Sequence, residues 1–236
     1  PRFAARQLAR WLYVKHIEDP MLMTDIPAAR RALLAERFRQ VLTPPGRVTE
    51  SADGTKKYLF RTLEGHYVES AYIPDGERAT LCVSSQAGCR MGCRFCATGR
   101  QGLQQSLTAA EILNQAVSLP ERDKLTNLVF MGMGEPMGNY KSVLSAVRQI
   151  SSMPPEGFGI SARNITVSTV GVVPGIRKLA EEGIPVRLAV SLHAPSDELR
   201  DELVPMNKRF NTKQVLDAAH DYYLASKRRV SIEYAL

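Results

Sequence analysis

The chain has 236 residues, 44% hydrophobic and 23% charged, enough apolar material for one sizeable core with a smaller unit beside it. No apolar run approaches the roughly 20 residues that a bilayer-spanning helix needs. The formal net charge of +7 favours a polyanionic partner such as nucleic acid, and four cysteines are too few for a disulfide-stapled secreted scaffold.

The N-terminal stretch PRFAARQLARWLYVKH is basic and amphipathic, as transit peptides are, but Glu18, Asp19 and Asp25 soon follow. A cytoplasmic address is the simpler expectation, and reduced thiols agree with it. Ala4, Leu8, Trp11, Leu12 and Val14 fall near helical spacing, which predicts a helix over 3–16. A second helix is expected from Thr24-Asp25, with Pro27 in its first turn and Ala28, Leu33, Leu34 and Phe38 on one face. Residues 1–45 thus read as a helical accessory domain, with RNA binding by it left open. The run VLTPPGRVTESADGTKK is rich in turn formers and reads as a linker. KYLFRTLEGHYVESAYIP then alternates on either side of Glu64-Gly65, a hairpin pattern, so 46–79 is expected to be linker and β-hairpin. By itself Glu69, between Val68 and Ser70, reads as a solvent-facing strand residue.

From Thr80 the rhythm changes to strand, helix, strand, helix. Strands are expected at 80–84, 126–132, 163–169, 186–192 and 229–236. Helices are expected at 108–118, opened by the capping box from Thr108 to Glu111, near 140–151, from Pro174 to a C-cap at Gly183, and at 212–226 behind Asn211 and Gln214. Such alternation predicts an α/β fold, a partial parallel (β/α) barrel over 80–236. The chain starts at Pro1 and stops at Leu236 inside a strand-like run, so the barrel is expected to be truncated at its C-terminus. Basic clusters at Arg30-Arg31, Lys56-Lys57, Lys208-Arg209 and Lys227-Arg228-Arg229 are scattered, as patches on a folded surface are.

All four cysteines lie in TLCVSSQAGCRMGCRFC: Cys82, then Cys89, Cys93 and Cys96 in C-x3-C-x2-C spacing. Thiolates suit zinc or iron–sulfur clusters. Structural zinc usually takes four protein ligands, and no second knuckle accompanies this triplet, although His66 or His193 could supply a fourth. A cubane takes one ligand per iron, so three cysteines leave one iron open to a small molecule. The unusual residues share one position. The cysteine loop follows the first parallel strand, Gly134-Glu135 the second, Ser168 ends the third, and Ser191-Leu192-His193 end the fourth. Parallel barrels collect their active sites at those C-terminal strand ends, so the triplet is read as catalytic. Singly, each site has a plain alternative: a tight turn for Gly134-Glu135, routine strand-end serines, a structural imidazole for His193 and inert core filling for Cys82.

The stretches ATLCVSSQAGCRMGCRFCATG, VFMGMGEPMGNY, ITVSTVGVVPGI and RLAVSLHAPSDELRDELVPMNKRF closely resemble the RlmN/Cfr family of radical S-adenosylmethionine (SAM) RNA methyltransferases, on its RlmN side. Weaker similarity runs back through RFAARQLARWLY, so the resemblance covers nearly the whole chain. It implies a 4Fe-4S cluster on Cys89, Cys93 and Cys96, and SAM contacts from Gly134, Glu135, Ser168, Ser191, Leu192 and His193. It makes Glu69 the proton acceptor and Cys82 the resolving cysteine. The implied reaction methylates C2 of an adenosine in 23S rRNA, with tRNA a second substrate of family members, and consumes two SAM per turnover. One SAM methylates a second cysteine and the other is cleaved to a radical that activates that methyl group. A covalent protein–RNA link is then resolved through a transient disulfide. An electron donor such as a flavodoxin or ferredoxin is implied. The methyl-carrying cysteine and a late asparagine of the family have no counterpart here and are expected past Leu236. Two other readings stay open at this point: a radical SAM enzyme of another product or substrate, and a zinc-loop RNA-binding protein.

Overall fold

A computed structural model describes residues 2–38 and 43–235. The first residues of the expected linker, 41–42, and Leu236 at the end of the fifth expected parallel strand lie outside these, as does the side chain of Phe38. Helix α1 (Arg2–Tyr13) buries Trp11 against Met23 and Ile26, with Leu8, Leu12 and Leu34 around them. It stops short of the expected 16 because His16 takes a left-handed φ of 54° and turns the chain. Helix α2 (Ala28–Phe38) starts later than expected. The Asp25 carboxylate that should open it accepts a hydrogen bond from the Trp11 indole, and Gln7 Nε2 donates to the Asp25 carbonyl. The Pro27 carbonyl is therefore the first acceptor of the helix. Arg122 secures this unit to the rest of the chain through Glu18 and the His16 carbonyl, both at 2.9 Å.

Four antiparallel strands follow: β1 (Arg47–Glu50), β2 (Lys56–Arg61), β3 (Tyr67–Asp75) and β4 (Arg78–Cys82). The turn between β2 and β3 is the expected one, with Gly65 at φ 90°. After β4 come a short strand β5 (Gln86–Gly88), the cysteine loop, helix α3 (Ala97–Arg100) and strand β6 (Leu103–Ser106), which pairs antiparallel with β5. Helix α4 (Ala109–Val117) opens on the expected capping box, with both reciprocal bonds between Thr108 and Glu111 formed. Then β7 (Asn127–Phe130), α5 (Tyr140–Ser151), β8 (Ile165–Thr169), α6 (Val173–Glu181) and β9 (Arg187–Ser191) alternate. Helices α7 (Asp197–Leu203) and α8 (Thr212–Ser226) precede β10 (Val230–Glu233), and α8 carries the second expected capping box, Asn211 with Gln214. The strands order as β1-β2-β3-β4-β7-β8-β9-β10, and from β4 onward every neighbour is parallel. The sheet does not close among the described residues, so this is a partial barrel whose hairpin shares its sheet.

Register separates the two faces. Leu81, Leu128, Ile165, Val167, Leu188 and Val190 point to the convex face and are buried under the helices, each contributing roughly 1.5–3 kcal/mol. Their neighbours point to the concave face, where cross-strand partners line up as Ala71, Cys82, Val129, Thr166 and Arg187, with Glu69 on β3 and Ser168 on β8 one step further along. Polar groups are thereby concentrated on the uncovered side. Among the described residues no helix is long and apolar enough to cross a membrane.

Candidate active site

The chain leaves β4 at Cys82 and is held at Ser84 by Gln115, which accepts from the Ser84 amide and donates to its carbonyl, both at 2.8 Å. Strands β5 and β6 then brace the cysteine loop, with the Cys89 amide donating to the Gly102 carbonyl at 3.0 Å. Cys96 stands at the start of α3, and its amide donates to the Cys93 carbonyl. All three cysteines line one cleft of about 230 Å³ together with Gly134, Glu135, Ser168, Ser191 and His193. The alignment of expected residues at the parallel strand ends therefore becomes a shared wall. Leu192 does not line it. Its amide donates to the Glu233 carbonyl at 3.0 Å.

Burial pushes the Cys93 thiol up to about 11, with the neighbouring Cys89, Cys96 and Glu135 adding to the effect, and burial likewise raises Cys89. Thiols that resist ionisation, as Cys89 and Cys93 do, need a cation to be held as thiolates. Among the described residues no three His, Cys, Asp or Glu side chains converge closely enough to hold a single metal ion. Four thiolates on one zinc would sit roughly 3.8 Å apart, given bonds near 2.3 Å. A cubane takes one thiolate per iron and a wider spread. Three cysteines lining one cleft match, in number and ligand type, a cubane that takes three protein ligands and leaves one iron open.

Glu135 is 4% exposed. Its two carboxylate oxygens accept from the Met137 amide at 2.9 Å and the Val170 amide at 2.8 Å, tying the β7 loop to the end of β8. Burial raises its pKa against these donors. A carboxylate has about four acceptor positions, so capacity remains for an ammonium. Gly134 before it has φ 97°, and an added Cβ would lie 2.5 Å from the Gln86 Cβ, so only glycine fits that backbone. The Ser168 and Ser191 hydroxyls are 3.5 Å apart on adjacent strands. His193 has a left-handed φ of 61°, and its Nδ1 accepts from the Ala235 amide at 3.1 Å. Burial first, and then the Arg200 cation, hold its pKa below the usual imidazole value. The neutral ring therefore carries its proton on Nε2. The half-exposed Phe95 meets its ring edge to face at 4.7 Å.

Cys82 and Glu69 do not line the cleft, but both lie beside it on the concave face. Cys82 is partly buried; burial raises its thiol pKa, and the Met131 backbone amide partly offsets this. Glu69 is 46% exposed and pairs with Lys57 at 3.0 Å. Reading by sequence missed Arg200, which is buried behind the cleft. It sits in SDELRDEL, where alternating charges look like a solvated helix face, and the pointer was Val204 one turn on, fully buried.

Residues 83–234 match the radical SAM superfamily model. Along its whole length the chain is 64% identical to a Bifidobacterium adolescentis protein called "Probable dual-specificity RNA methyltransferase RlmN", covering 64% of it. It is 54% identical to a Mycobacterium marinum protein of the same name, covering 67% of it. The chain thus spans a little under two thirds of the first of these relatives. A radical SAM methyltransferase from Sphaerobacter thermophilus superposes on all of the chain with a TM-score of 0.93 at 44% identity, over 70% of that structure.

Proposed function

We propose that this chain, which belongs to the RlmN family of the radical SAM superfamily, is the core of an enzyme that methylates C2 of an adenosine in 23S rRNA, with tRNA as a second substrate. One observation carries the reading: a C-x3-C-x2-C triplet shares one cleft with a buried carboxylate, two strand-end serines and a neutral histidine, gathered from the ends of four successive parallel strands. The names of the relatives supply the RNA. Cys89, Cys93 and Cys96 would hold the 4Fe-4S cluster. Gly134, Glu135, Ser168, Ser191 and His193 would take SAM, with Leu192 contributing through its backbone. When bound, the cluster and SAM supply the radical chemistry needed at adenine C2, a carbon that is no nucleophile.

The chain's own groups have separable tasks. Glu135 accepts from an ammonium in a site with little water, which strengthens the bond. Glu69, open to the concave face and paired with Lys57, accepts the proton that a methylated adenine must lose. Cys82, on the strand whose end carries the cysteine loop, resolves the covalent link by forming a transient disulfide with a methyl-carrying cysteine. Two SAM per turnover and a protein electron donor belong to the same reading. Residues 1–45 serve it as an accessory unit, 46–79, where the expected linker carries β1, as the antiparallel arm, and 80–236 as the SAM-binding core.

The test uses the gene's full-length product, reconstituted anaerobically with iron and sulfide and given SAM, a reductant and unmodified 23S rRNA or tRNA. Digested nucleosides are then compared with standards by mass spectrometry. The reading expects 2-methyladenosine, lost in Cys82→Ala and Cys89→Ala. Appearance of 8-methyladenosine would replace the product assignment, and SAM cleavage without a modified nucleoside would overturn the RNA substrate.

A further inference from the structure

A buried guanidinium is costly unless its donors are met, because it cannot shed its proton. Arg200, on α7, is 0% exposed. Its Nε donates to the Leu192 carbonyl at 3.0 Å and its Nη1 to Asn207 Oδ1 at 2.7 Å. Its Nη2 donates to the Val170 carbonyl at 2.6 Å and the Ser191 carbonyl at 3.2 Å. Among the described residues no carboxylate forms an ion pair with it. Its hydrogen bonds go to dipoles, and three of the four acceptors are main-chain carbonyls just past β8 or at the end of β9.

Those carbonyls belong to the segments that line the cleft. Val170 also donates its amide to Glu135, so one side chain links the loop after β7, the end of β8 and the end of β9. Helix α7 also touches the cysteine loop: the Arg94 amide donates to the Leu203 carbonyl at 3.0 Å, and Val204 packs with Cys93 and Val170. A planar fork that bonds to two adjacent strand ends fixes their separation, which a lysine's single ammonium does not do.

We propose that Arg200 is a positioning residue for SAM, spacing the ends of β8 and β9 so that Ser168, Ser191 and His193 meet one ligand. The inference rests on the reading that the cleft binds SAM on a cluster. Arg200→Lys keeps the charge and loses the fork. In the reconstituted full-length protein, the SAM concentration that half-saturates the SAM-induced change in the reduced cluster's EPR spectrum should rise roughly 10–100-fold, the usual loss when a supporting group is removed. Iron content and the spectrum before SAM is added should stay as in wild type. A merely structural role would lower iron content and thermal stability and leave half-saturation of the folded protein unchanged, and that result overturns the proposal.

Should the lysine variant not fold, Asn207→Ala, which removes the side-chain acceptor of Arg200 together with the Asn207 Nδ2 bonds to Asp197 and Asp201, decides. A severalfold rise in half-saturating SAM supports the proposal, and an unchanged value overturns it. A wild-type protein that takes no cluster, or whose spectrum ignores SAM, overturns both the proposal and the reading beneath it. A normal wild type with an indistinguishable lysine variant overturns the proposal alone.

Discussion

The parallel half of the sheet and its antiparallel arm hold their functional groups in opposite ways. In the parallel half, Glu135 is buried with both oxygens occupied by backbone amides, and His193 is fixed through Ala235 and Phe95. On the arm, Glu69 is 46% exposed and held by a single surface ion pair. Such pairs are typically worth less than about 1 kcal/mol. The contrast fits a division of labour. A small cofactor is bound by a site already formed, which avoids ordering costs on binding, whereas a group that must meet a large substrate stays accessible.

The largest effect should come from the parallel half. Cys93→Ala should abolish cluster loading, read as iron and sulfide content and the loss of brown colour, while retained iron would break the assignment of the triplet. On the arm, Glu69→Gln should lower product formation by roughly 10²–10⁴-fold, the usual share of a proton-transfer group, with SAM cleavage to 5′-deoxyadenosine persisting. If cleavage fell equally, the two regions would not be separable. Gly134→Ala places a methyl group against Gln86 at a left-handed φ. It should cost about 1–3 kcal/mol in a melt and weaken SAM binding. Loading should also depend on pH. Burial raises Cys89 and Cys93, so protons must leave as iron binds, and iron uptake measured from pH 6 to about 9 should increase throughout. The smallest effect belongs to Lys57→Met, which should slow product formation less than tenfold and leave SAM affinity unchanged.

Much of this division was legible in the sequence, where the physics is local. Capping boxes at Thr108 and Asn211 reveal helix starts because their bonds span three residues. The cysteine spacing and the strand-end positions of Glu135, Ser168, Ser191 and His193 follow from periodicity and from where parallel strands stop. What was missed depends on long-range partners. Asp25 is claimed by an indole fourteen residues away, which delays α2. Strands β5 and β6 are too short for alternation to show, and Arg200 looks like a surface charge until its acceptors on two other strands are in place. Leu192 reads as one run with its neighbours, and of the three Ser191 and His193 line the cleft.

The amides of Leu192 and His193 both donate to the Glu233 carbonyl, and the His193 ring accepts from Ala235. The wall opposite the cysteines therefore depends on a strand synthesised long after them. A growing chain exposes Cys89, Cys93 and Cys96 well over a hundred residues before β10 is made. At about 5–20 residues per second, that leaves the thiols unshielded for roughly 7–30 s of synthesis. The reducing state of the compartment during translation therefore matters to this protein before it has any activity to protect.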